Sequence, residues 1–143
     1  MKRLVMLTTL LAALAVPSAA LSLEDLKITD QGTTCRAVNN GTAVNCIGKY
    51  TGIGASYSTV SIEIKADYTC TNKAGNTVVG QSASSSGPIE VRNGQVTFNE
   101  TTSSVSDKCT KADDHTATFT TATISIVDAN GNVIRSFTYV VQQ

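Results

Sequence analysis

Tryptophan is absent from this chain, histidine occurs once, proline twice, and only 15 % of the residues are charged. Each shortage narrows the functions open to the chain. Without Trp there is no ring to pack on a buried disulfide as in an antibody-type domain, and a sugar-stacking platform loses its largest aromatic. With His115 as the single histidine, nucleophilic catalysis has one candidate base. Lys plus Arg equal Asp plus Glu at 11 each, and no block of one sign stands out. Nucleic acid and anionic membrane are therefore poor candidates for partners. Beyond Ala20 no apolar run is long enough for an integral membrane span.

The apolar run that does exist lies at the start. Lys2 and Arg3 precede Leu4 to Val16, and Pro17, Ser18, Ala19 and Ala20 follow, the layout of a secretory signal peptide with a small-residue cleavage site. Residues 1–20 are expected to be removed, leaving residues 21–143 as one secreted domain with a slight acidic excess.

The mature chain is rich in Ser and Thr, and its apolar residues recur every second position. The clearest case is Val60 to Cys70, where Val60, Ile62, Ile64, Ala66, Tyr68 and Cys70 alternate with Ser61, Glu63, Lys65, Asp67 and Thr69. That is a strand with one buried and one wet face. Weaker alternation from Leu21 to Asp30 predicts an edge-like first strand. Thr34 to Val38 and Ala43 to Tyr50 flank Asn39-Asn40-Gly41-Thr42, a hairpin signal. With Asn40 and Gly41 at the tip, Cys35 faces Cys46. Thr77 to Gln81 predicts a short strand, and the small polar residues Ser82 to Pro88 a loop. Around Asn93-Gly94 a tight turn sets Val91 opposite Val96 and Ile89 opposite Phe98. The last hairpin, Thr116 to Val127 with Val133 to Val141, turns at Asn130-Gly131. A two-residue turn there places Ile124 opposite Phe137 and Ser125 opposite Ser136, separating apolar from hydroxyl faces. A three-residue turn would mix them. The expected architecture is all-β, an immunoglobulin-like β-sandwich of about seven or eight antiparallel strands with two disulfides. A closed barrel is the second choice.

Four cysteines in an exported chain read as two disulfides. Strand register favours Cys35 with Cys46, which leaves Cys70 with Cys109, the latter in the long irregular stretch Thr101 to His115. The other two connectivities stay open.

Sites are scarce. Asp107, Asp113, Asp114 and His115 share one loop, but their spacing fits no standard ligand set, so no metal is assigned. Asp128 to Asn132 opens like a calcium-binding loop, yet Tyr139 stands where the bidentate Glu belongs. No Gly-x-Ser-x-Gly elbow ties a serine to His115. Tyr50 and Tyr57, flanking the glycine-rich Thr51 to Ala55, are the rings expected to be exposed and form the candidate ligand patch. Asn40-Gly41-Thr42 and Asn99-Glu100-Thr101 are formal glycosylation sequons. Thr116, Thr118 and Thr120 predict a hydroxyl row on one strand.

Tyr68-x-Cys70-Thr71-Asn72, followed by Gly75-Asn76, Gly80-Gln81, Arg92-Asn93-Gly94 and Phe98, resembles a loose group of small exported bacterial proteins. The likeness spans most of the mature chain, although Thr77 to Val79 lacks prolines common in that group. It rests on turn residues and cysteines, so it implies a fold and no activity, and no functional residue carries over. The spacing of Cys35 and Cys46 is also similar to the hairpin disulfide of chromoprotein carriers of the neocarzinostatin type, which implies an enediyne-like cargo; the second pair here is far more widely separated.

The sequence thus reads as a secreted, non-catalytic module without a cofactor, whose partner is an extracellular macromolecule or surface. A small-ligand carrier and a hydrolase using His115 are the alternatives.

Overall fold

The structure, a computed structural model, describes residues 27–72, 74–105, 109 and 115–143. The expected leader and its cleavage point lie outside these residues.

The alternation from Val60 to Cys70 is realised in full. Strand β4 (Thr59–Asn72) is paired on both edges, with β5 (Thr77–Glu90) on one side and β7 (His115–Val127) on the other. Val60, Ile62, Ile64, Ala66, Tyr68 and Cys70 are all buried, while the residues between them face outward. Adding β8 (Val133–Val140) gives the sheet order β5-β4-β7-β8. In the second sheet β3 (Ala43–Thr51) pairs with β1 (Thr29–Asp30), β2 (Thr34–Val38) and β6 (Val96–Thr101), every pair antiparallel. Val44, Cys46, Tyr50 and Phe98 from that sheet share one core with Ile62, Ile64, Phe119, Ile124 and Ile126 from the other. The molecule is an all-β sandwich of two antiparallel sheets. Each fully buried Ile contributes about 1.5–3 kcal/mol through loss of contact with water.

The first hairpin has the expected register, with Cys35 opposite Cys46 and Val38 opposite Ala43. Both disulfides, Cys35–Cys46 and Cys70–Cys109, are formed. The tip is wider than a two-residue turn: Asn39, Asn40 and Gly41 all have positive φ, and Thr42 N–H reaches back to the Val38 carbonyl.

Of the expected first strand, Leu21 to Leu26 lie outside the described residues, and Thr29–Asp30 pairs with β3. Three expectations are corrected. Ser82 to Pro88 is not a loop but the second half of β5. Ser82 takes an inward position opposite Ala66 and is buried. Pro88 is tolerated because β5 is an edge strand. Next, the Asn93-Gly94 turn forms, with both residues at positive φ and Arg92 and Gln95 exchanging main-chain bonds. The ladder stops there, however. Val91 N–H donates to Ser58 O, whereas Val96 and Phe98 pair with Tyr50 and Gly48 of β3. The tight turn carries the chain from one sheet to the other.

Finally, the last hairpin contains both registers. Ile124 faces Phe137 and Ser125 faces Ser136, as a two-residue turn requires. At the tip Asp128 N–H donates to Asn132 O, the three-residue form. A register shift between Ile126 and Val127 absorbs the extra residue, and Ile134 is buried beside it. The tip follows local turn chemistry and the body follows the apolar pattern.

Candidate ligand-binding site

The outer face of the β5-β4-β7-β8 sheet is lined with hydroxyls, and one place on it is irregular. Between Ala66 and Tyr68 the pairing of β4 with β7 shifts, since Ala66 opposes Ala122 but Tyr68 opposes Phe119. Two residues, Thr120 and Thr121, therefore stand against Asp67 alone. Such a bulge re-aims side chains that a regular ladder would hold apart. Thr120 Oγ1 donates to the Asp67 carbonyl at 3.3 Å, and Thr121 Oγ1 to Asp67 Oδ2 at 3.4 Å. From the other side Gln81 Nε2 donates to Asp67 Oδ1 at 2.7 Å.

The Asp67 carboxylate is thus gripped at both oxygens by two neighbouring strands. Around it lies a cleft of about 500 Å³ lined by Asp67, Thr69, Val79, Gln81 and Thr120, with the Tyr68 and Gly80 positions between them. Gly80 faces Tyr68 across the ladder, and the Tyr68 side chain is buried. Val79 forms one apolar side and is 82 % exposed, the most open of the large apolar residues described. A fixed carboxylate, a primary amide, two hydroxyls and an apolar surface converge there.

The expected tyrosine patch is corrected. Tyr50 is fully buried, because its strand position faces the core and its ring stacks between Phe98 and Phe137 at centroid distances of 5.3 and 4.8 Å. Its hydroxyl shares a 2.8 Å hydrogen bond with that of Tyr139. Burial first, and then this bond, push the Tyr50 phenol above its ordinary range. Tyr57 is partly buried against the core and borders a separate cleft of about 170 Å³ with Ser56, Thr59, Asp128 and Asn130. The Asp128 carboxylate in that cleft is held below its ordinary range, chiefly by the Asn132 N–H, and serves its own turn.

His115 begins β7, with its backbone paired to Asn72; its side chain, like Asp107, Asp113 and Asp114, lies outside the described residues. Among the described residues no group of three or more His, Cys, Asp or Glu could hold a metal ion. Asn40 is exposed at its turn, while the Asn99 side chain accepts a hydrogen bond from Asn45 at 2.8 Å. Thr118 and Thr120 are exposed on β7, but the bulge breaks their row after Thr120. Sequence reasoning passed over Asp67 because it reads as one more wet position in β4. The bulge leaves no mark in residue pattern, and Gln81 entered the site only once β5 had a register.

The fold and cleft define a disulfide-stapled, two-sheet β domain with a polar site on one outer face. Compared with known proteins, the chain matches no family model and no curated protein. Any role therefore has to come from its own residues.

Proposed function

We propose that this chain is a secreted, non-catalytic binding module of immunoglobulin-like type, which engages an extracellular macromolecule or surface through the Asp67 cleft. The observation that carries the reading is the bulge at Thr120-Thr121, which holds the Asp67 carboxylate fixed beside open polar groups instead of leaving it to solvent. Two formed disulfides suit an oxidising, extracellular environment. No helix among the described residues is long and apolar enough to cross a membrane.

The immunoglobulin-like description is supported by the strand order. β3 sits between β6 and the β1/β2 side, β4 and β7 occupy the centre of the facing sheet, and β2 meets the end of the last strand in a parallel bridge, Arg36 to Gln142. The carrier alternative is weakened by the burial of Tyr50, which removes one ring of the expected ligand patch.

The test is native mass spectrometry of the protein recovered from outside its own cells, beside an Asp67→Asn variant. Expected is the mass of residues 21–143 with both disulfides and no held adduct, with more of the parent protein than of the variant retained on the cell surface. Retention of residues 1–20 would overturn the secretion reading. An adduct that leaves on denaturation would favour the small-ligand carrier, and equal surface retention of the variant would overturn the site.

A further inference from the structure

We propose that the Asp67 cleft accepts a neutral saccharide unit, an inference that rests on the binding reading above. The chemistry of the lining selects the class. A phosphate or carboxylate would meet the Asp67 charge, and the lining residues include no Lys or Arg. A hard cation would find one carboxylate where several oxygen ligands are needed. A purely apolar ligand would strip water from Asp67 and Gln81 without replacing its hydrogen bonds.

A saccharide presents hydroxyls that donate and accept on one edge and a C–H face on the other. Asp67 Oδ1 and Oδ2 each receive one protein bond and keep further acceptor capacity for hydroxyl donors. The Gln81 amide retains its carbonyl and a second N–H, one of each sense. Thr69 and Thr120 add hydroxyls along the cleft. The exposed Val79 side chain meets the C–H face. The cleft volume falls inside the range of about 300–1,000 Å³ usual for small-molecule sites. With no aromatic ring standing open in this lining, binding by one copy is weak, and a surface bearing many copies of the sugar is the natural target.

The experiment is a titration of the isotope-labelled full domain, followed by amide NMR shifts, with maltose, cellobiose and lactose separately and with tri-alanine blocked by N-acetylation and C-amidation as a neutral non-sugar probe. Expected are saturable shifts clustered at residues 67–69, 79–81 and 120–121 with at least one sugar. Asp67→Asn should weaken that binding about tenfold, the worth of a hydrogen bond to a charged group, and Gln81→Ala about fivefold, the worth of a neutral one. Ser125→Ala, on the same outer face but outside the cleft, should leave it unchanged. The spectra report folding of each variant directly, and Gln81 is exposed enough for its replacement to leave the fold intact. Sugar shifts indifferent to both cleft variants overturn the proposal. If tri-alanine moves the cleft amides and no sugar does, the ligand class is wrong and the cleft reading survives. If none of the probes moves them, the cleft reading falls too.

Discussion

Gly80 stands directly opposite Tyr68 across the β4–β5 ladder, and the Tyr68 ring occupies the space that a side chain at Gly80 would fill. A Cβ at that position would lie 2.6 Å from both the Tyr68 Cζ and its hydroxyl oxygen. The pair couples the floor of the cleft to the core beneath it.

Gly80→Ala should therefore destabilise the domain by about 1–3 kcal/mol, the usual cost of overpacking, with a fall of several degrees in Tm. A Gly80→Ala, Tyr68→Leu double variant, in which the ring is gone, should lose less than the two single losses added. Thermal unfolding of the four proteins measures the coupling, and simple additivity would show that ring and glycine do not compete for space.

Tyr50 and Tyr139 predict an alkaline limit. Burial raises both phenols above their unfolded value, Tyr50 the more strongly. In the unfolded chain a tyrosine ionises near pH ~10; in the folded domain these two keep their protons longer. Their contribution is complete below that pH and is lost as pH rises above it, because the unfolded state then releases protons that the folded state retains. Urea unfolding at pH 8 and pH 11 should show the decline, and Tyr50→Phe should reduce it. An equal decline in the variant would assign the alkaline loss to other groups.

Ser82 offers the opposite sign. It is 2 % exposed, and its hydroxyl finds no hydrogen-bond partner among the described residues. Replacing it by the nearly isosteric Ala removes the desolvation cost and should raise stability by about 1 kcal/mol. A lower urea midpoint for Ser82→Ala would mean that the hydroxyl is satisfied in solution.

The disulfides should contribute unequally. Cys70 and Cys109 are 39 positions apart and Cys35 and Cys46 are 11 apart. In the chain-entropy account the wider loop contributes about 4 kcal/mol and the narrower about 3. The Cys70→Ala, Cys109→Ala variant should melt below the Cys35→Ala, Cys46→Ala variant, and the reverse order would place most of the benefit in native packing around Cys35.

What could be read from the sequence was whatever two residues decide between themselves. Alternation assigned β4, and register put Cys35 opposite Cys46 and Ile124 opposite Phe137, because one slip would turn an apolar face outward. The misses needed a third body. Ser82 to Pro88 has loop composition and becomes strand only because β4 offers an edge. The Asn93-Gly94 turn was legible, but its arms go to different sheets, a choice made by β3 and by Ser58. Tyr50 was misplaced because flanking glycines suggested a surface, when its strand parity pointed inward. Asp67 was hidden for the same reason, since the bulge that makes it special belongs to β7.

The parallel bridge between β2 and the end of the chain also governs the response to pulling. Ala37 N–H donates to Gln142 O at 2.8 Å, and Gln142 N–H donates to Cys35 O at 2.9 Å. Tension applied through the two ends runs along these strands, so both bonds are loaded together in shear and must give way at once rather than unzip in turn. After they part, the Cys35–Cys46 bridge passes the load directly into β3 and keeps residues 36–45 out of the stretched path. A domain tethered to a surface would yield late and lengthen little when it first yields.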